Sequence, residues 1–100
     1  METQETIKKP PVRIVIHPVK LVAMKNDVEV ELTLRELQVL AFFIANRGRL
    51  IPRKELYANL WTNRGDGYSN IADVYVNYLR QKLGKDTIET VRGEGYLMAA

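Results

Sequence analysis

Three short β-type runs open the chain, at Val12 to His17, Lys20 to Met24 and Val28 to Leu32. In the last of them Val28, Val30 and Leu32 alternate with Glu29 and Glu31, the period of a half-buried strand. Lys25-Asn26-Asp27 supplies turn chemistry before that run, because Asn and Asp tolerate left-handed backbone. These runs predict an N-terminal antiparallel sheet. Helical spacing takes over at Thr33-Leu34-Arg35-Glu36, a capping box in which Thr33 caps the first turn and Glu36 reaches back. That helix continues through Leu37, Leu40, Ala41 and Ile44 and stops near Gly48, read as its C-terminal cap. A second helix is expected over about Arg53 to Trp61, with Pro52 in its first turn and Leu56 and Leu60 as an i, i+4 apolar pair. Thr62 to Ser69 holds two glycines and Asp66 and reads as a loop.

The third helix is expected to begin near Ser69 or Asn70 and to end at Leu83-Gly84. At about 100° per residue it divides into two faces. Ala72, Val76, Leu79 and Leu83 fall in one narrow stripe that must meet the core, while Asn70, Val74, Asn77, Tyr78 and Gln81 lie opposite. Solvated helix faces usually carry charge, and this one exposes Val and Tyr beside three amides. Asn and Gln can bond bidentately to adenine and Val can touch a thymine methyl, so the face suits a major groove with A·T content. Arg80 and Lys82 flank the stripe at angles suited to phosphates. An uncharged, partly apolar face also suits a contact with another protein, and these residues alone leave both readings open.

The tail reads as strand, tight turn, strand: Thr87 to Val91, Arg92-Gly93-Glu94-Gly95, then Tyr96 to Met98. Glycines on either side of one residue supply the positive φ values that a hairpin tip requires. Arg92 is thereby presented on a stiff stalk, a geometry that lets an arginine enter a narrow minor groove.

Composition narrows the function classes. One hundred residues are the size of a single domain, expected here over residues 12–100, with residues 1–11 as a flexible tail or linker stub ending in Pro10-Pro11. Residues 1–46 carry six Lys/Arg and six Asp/Glu, whereas residues 47–92 carry nine against five, so the positive charge lies in the C-terminal half and points toward a polyanion. The absence of cysteine excludes a disulfide framework and thiolate metal sites. The longest apolar run, Val39 to Ala45, is far short of the ~20 residues of a membrane span, and no secretory signal is visible at Met1-Glu2-Thr3-Gln4. A soluble, cytoplasmic protein without membrane association, metal or cofactor is expected. Catalysis is not expected either: the one histidine, His17, has no partner nearby, and no Gly-rich phosphate loop joins a strand to a helix.

Several segments, in order and at matching spacing, resemble one family. They are Leu32-Thr33-x-x-Glu36-x-x-Val39-Leu40, Gly48-x-Leu50-Ile51 and Leu56-Tyr57-x-x-Leu60-Trp61. Asp73-Val74-x-Val76-x-x-Leu79-Arg80-x-Lys82-Leu83 and Thr90-Val91-Arg92-Gly93-x-Gly95-Tyr96 complete the set. Together they are similar to the effector domain of OmpR/PhoB-type response regulators over residues from about 12 to 98. The resemblance implies an α+β winged helix-turn-helix with an N-terminal antiparallel four-stranded sheet, three helices and a C-terminal β-hairpin wing. It implies a sequence-specific transcription regulator with its third helix in the major groove of double-stranded DNA and its wing in the minor groove. Carried over by position, contacts would fall on Asn70, Tyr75, Asn77, Tyr78 and Arg80, and in the wing on Thr90 and Arg92. The segment Trp61, Thr62, Asn63, Arg64, Gly65, Asp66, Gly67 and Tyr68 matches the part that touches RNA polymerase in activators. A monomer that pairs head-to-tail on direct repeats is also implied.

Departures from the family pattern fall on the reading surface. Asn70, Tyr75, Asn77 and Tyr78 stand where the family often has Arg or His, Glu94 stands at the wing tip, Leu97 replaces a common basic residue and Pro52 replaces a hydroxyl cap. Fewer cations mean less counterion release, so the strength and target of binding are altered more than the fold. The uncharged third helix and Glu94 also motivate an alternative, a winged-helix protein-interaction module with weak or no DNA binding.

Overall fold

The computed structural model describes residues 13–61 and 70–99. The expected tail at residues 1–11 and the expected loop from Thr62 to Ser69 lie outside these residues. Strands β1 (Ile14–His17), β2 (Val22–Lys25) and β3 (Val28–Glu31) form an antiparallel sheet in sequence order, with Val15 opposite Met24 and Met24 opposite Glu29. Asn26 and Asp27 both have positive φ, 49° and 71°, the conformation that a tight two-residue hairpin demands. The second strand begins at Val22, two residues later than its apolar run suggests. Leu21 is the reason, since its φ of 56° is left-handed and cannot continue a strand. The N-terminal sheet has three strands among the described residues where the resemblance implied four. Only three β-type runs precede Thr33, and the chain passes from β3 through Leu32 directly into the next helix.

Helix α1 (Leu34–Ala45) starts at the predicted capping box: Thr33 Oγ1 accepts from the Glu36 N–H at 3.2 Å, and Glu36 Oε1 accepts from the Thr33 N–H at 2.9 Å. Its C-terminal cap is Asn46, not Gly48. The Asn46 side chain donates to the Phe42 carbonyl at 2.7 Å and closes the last turn before Gly48 is reached. Gly48, with φ 81°, instead turns the chain toward β4 (Leu50–Ile51), and its N–H donates to the Met98 carbonyl. Helix α2 (Arg53–Leu60) follows with Pro52 at the N-cap position and Trp61 at the C-cap. Helix α3 (Ile71–Leu83) follows Asn70 and ends at Gly84, whose φ is 105°.

Strands β5 (Glu89–Val91) and β6 (Gly95–Leu97) form the predicted hairpin, and β4 joins it in the order β4-β6-β5. The first hairpin strand starts two residues later than expected because Thr87 turns back, its hydroxyl donating to the Leu83 carbonyl at 3.0 Å. The pairing of β4 with β6 needs Gly95: any Cβ there would overlap the Ile51 carbonyl oxygen. One core joins the elements, with Leu40 and Phe43 of α1, Ile51, Leu56, Val76 and Leu79 of α3, Ile88 and Met98 all fully buried. Among the described residues no helix is long and apolar enough to cross a membrane, and no cluster of acids and histidine could hold a metal. The architecture is a winged helix, three helices with a C-terminal hairpin beside the third.

Candidate nucleic-acid interface

The angular separation along α3 determines what can be read from outside. Ala72, Val76, Leu79 and Leu83 are each at most 2% exposed and seat the helix in the core. On the opposite side Asn70, Asn77, Tyr78 and Gln81 are exposed and Val74 is half-buried. Tyr78 is 43% exposed, a large apolar ring held at the surface.

That ring is supported from below. Tyr78 meets Tyr75 edge-on at 5.4 Å, Tyr75 meets Trp61 at 5.9 Å, and Trp61 meets Tyr57 at 5.8 Å, so an aromatic row runs from α2 to the outer face of α3. Arg35 lies over the Trp61 ring at 5.9 Å. Such pairs hold rings in defined orientations. Tyr75 is half-buried within this row and Trp61 is buried.

The cations on α3 are occupied by the protein itself. Arg80 donates from Nε to the Ile88 carbonyl at 2.9 Å and from Nη2 to Thr90 Oγ1 at 2.7 Å, with its guanidinium 5.8 Å above the Tyr96 ring. Lys82 meets Glu36 Oε1 at 2.6 Å. Burial of Glu36 raises its pKa, but hydrogen bonds from Lys82 and Thr33, with the charge of Lys82, outweigh this and hold the carboxyl below its ordinary range. Arg80 and Lys82 thus appear on the flanks that helical geometry predicts, yet each is committed to an internal partner.

The hairpin is fastened to α3 at two levels. Arg80 grips β5 and the residue before it, while the Tyr96 hydroxyl on β6 donates to Asp73 Oδ1 in the first turn of α3. Asp73 Oδ2 accepts from Arg53 Nη2 at 2.9 Å, which adds the start of α2 to the same cluster. Burial, together with the hydrogen bond and charge of Asp73, pushes the Tyr96 phenol up to about 12 against the opposing charges of Arg53 and Arg80. Beyond this clamp Arg92, Gly93 and Glu94 form the exposed tip, and Arg92 has no hydrogen bond or ion pair with another described residue. Thr90 is exposed on the adjoining strand.

Two concavities flank α3. A groove of about 610 Å³ is lined by Asn77, Arg80, Gln81, Gly84 and Lys85. A cleft of about 580 Å³ beside the wing includes Arg53, Lys54, Thr90, Arg92 and Tyr96. Lys85 and Lys54 were missed by the sequence reasoning. Lys85 follows the terminating Gly84, where helical periodicity no longer assigns a face, and Lys54 reaches the wing only through tertiary packing. Asn77, Arg80 and Gln81 line the groove, Thr90 and Arg92 line the cleft beside the wing, and Tyr75 packs against Tyr78, while Lys82 is bonded to Glu36.

Comparison with known proteins gives a consistent result. The family model described as "Transcriptional regulatory protein, C terminal" matches residues 27–98. Response regulator ArlR of Staphylococcus haemolyticus is 39% identical over 77 residues, covering 73% of this chain and 35% of the relative. The chain therefore spans about a third of the length of the curated relatives it matches. Among solved structures, the Klebsiella pneumoniae RstA DNA-binding domain in complex with the RstA box superposes with a TM-score of 0.74 at 31% identity, covering 86% of this chain and 90% of that one. The DNA-binding domain of CpxR from E. coli gives a TM-score of 0.72 at 26% identity, over 91% and 98% of the two chains.

Proposed function

The chain belongs to the transcriptional regulatory protein C-terminal family, the OmpR/PhoB-type winged-helix domains of response regulators, and from that premise we propose that it binds double-stranded DNA sequence-specifically as a transcription regulator. The third helix lies in the major groove, where Asn70, Asn77 and Gln81 read base edges by hydrogen bonding. Val74 and Tyr78 supply apolar contact to thymine methyl groups, and Tyr75 holds Tyr78 in place. Arg92 enters the adjacent minor groove from the wing, and Arg80 and Thr90 lie along the phosphates between them. A·T-rich sequence suits both halves, through adenine-amide pairing in one groove and a narrow, electronegative other groove.

The observation that carries this reading is the clamp between helix and wing. Asp73 with Tyr96, and Arg80 with Ile88 and Thr90, fix an uncharged reading face and a free arginine at one relative position. The finer features follow the family resemblance. The domain is a monomer alone and pairs head-to-tail on direct repeats, and the segment from Trp61 to Tyr68 contacts RNA polymerase. It works in the cytoplasm without a cofactor and catalyses no reaction.

Selection of bound sequences from a random duplex pool, followed by titration of the winner at several salt concentrations, tests this function. A recurrent A·T-containing motif bound with a measurable salt slope is expected. Absence of enrichment and of any duplex affinity contradicts the reading and leaves a protein-interaction module in its place.

A further inference from the structure

Helical geometry alone makes Lys82 a candidate phosphate contact, and its surroundings point elsewhere. Its ammonium lies 2.6 Å from Glu36 Oε1 and 3.3 Å from the Glu31 carbonyl. The Glu36 side chain is 6% exposed and that of Lys82 is 37% exposed. The same carboxylate oxygen accepts the Thr33 N–H that closes the capping box of α1. A move of Lys82 to a phosphate would leave a nearly buried carboxylate without its countercharge, which is strongly unfavourable. The pair is also neutral as a unit, so it attracts little of the counterion exchange that drives phosphate binding. Arg80 differs, because its partners are an uncharged carbonyl and a hydroxyl and its full charge persists on the reading side.

A second tie lies at the same end of the helix. Lys25 of β2 donates to the Leu83 carbonyl in the last turn of α3 and stands 3.5 Å from Asp86. The C-terminal end of α3 is therefore held by α1 and by the N-terminal sheet, as its first turn is held to the wing through Asp73. Rotation or sliding of the helix is resisted at both ends, and bidentate amide-base bonding depends on that alignment.

We propose that Lys82 is a positioning residue for base readout: bonded to Glu36, it sets the orientation of the helix carrying Asn77 and Gln81 and touches no phosphate. This rests on the DNA-binding reading above. The test measures affinity against salt for the parent, Lys82→Gln, Glu36→Gln and Lys82→Arg, on a selected duplex and an unrelated one. Lys82→Gln is expected to retain the parent's salt slope while its preference for the selected duplex falls about tenfold, as for one misaligned base contact. Glu36→Gln keeps the ammonium and a capping side chain, and is expected to lose the same preference with a slope no shallower than the parent's. Lys82→Arg, which still donates to Glu36, is expected to keep the parent's preference.

The proposal is overturned if Lys82→Gln lowers the slope by about 0.9, the signature of one lost phosphate contact. Retention of full preference by Glu36→Gln overturns it equally, and holds even if Lys82→Gln fails to fold. Failure of the parent to bind any duplex counts instead against the DNA-binding function.

Discussion

The phenolic hydroxyl of Tyr96 is bonded to the carboxylate of Asp73, so the returning strand of the hairpin is fastened to the first turn of the helix beside it. With the bonds from Arg80 to Ile88 and Thr90, this link sets how the wing stands relative to α3. The ring of Tyr96 adds to it by packing edge-on against Phe43 at 6.5 Å, which roots the hairpin in the core.

Tyr96→Phe keeps that ring and removes the hydroxyl. The loss of a hydrogen bond to a charged but partly solvated acceptor is expected to cost about 1–2 kcal/mol. Denaturant unfolding of the two proteins measures it, and the midpoint should fall without a change in slope.

Tyr96 also has a distinct alkaline signature. Its phenol titrates at about 12, raised by burial and then by Asp73, above the ordinary 10.0. A group whose folded pKa is raised stabilises the fold fully below its unfolded pKa, and that contribution is lost as pH climbs through the folded value. Stability should therefore decline between about pH 10 and about pH 12 more steeply in the parent than in Tyr96→Phe. Tyrosinate absorbance should show a late-titrating component that is absent from the variant.

Two glycines of the wing predict unequal costs for the same change. A methyl group at Gly95 overlaps the Ile51 carbonyl oxygen, and the backbone φ there is 148°. Gly95→Ala is expected to cost about 3 kcal/mol or more, since β4 and β6 must separate. At Gly93 nothing lies within 4 Å of the added methyl, so only its φ of 73° opposes substitution, at about 1–2 kcal/mol. Thermal unfolding of both variants checks the ranking.

Loss of Asn77 and loss of Arg92 should weaken DNA binding in different ways. Asn77→Ala is expected to lose about 1–3 kcal/mol of discrimination at one base pair with little change in salt slope. Arg92→Ala should lower affinity and reduce the slope, because a free cation leaves the minor groove. Titration of both variants against matched and single-substituted duplexes separates the effects.

Local chemistry made much of this protein legible. The capping box at Thr33 and Glu36, the turn at Asn26-Asp27, the buried stripe of α3 and the glycine-flanked tip all depend on residues close in sequence, and all are present. Boundaries failed where a residue made an unforeseen bond or dihedral: Leu21 entering left-handed backbone, Asn46 capping α1 ahead of Gly48, Thr87 folding back on Leu83. The partners of Arg80, Lys82 and Asp73 were invisible for another reason. Thr90, Glu36 and Tyr96 lie 10, 46 and 23 residues away, and helical periodicity assigns a face without saying what already occupies it. The uncharged residues on the exposed face of α3 could be found by angle alone; the commitment of its flanking cations could not.

Amide chemical-shift mapping of the protein with a selected duplex tests the central claim most directly. The account predicts perturbations concentrated at Asn70, Val74, Asn77, Tyr78 and Gln81 and along Thr90 to Glu94, with the strands β1, β2 and β3 undisturbed. Perturbations confined to those three strands, with α3 and the hairpin tip unchanged, would contradict it.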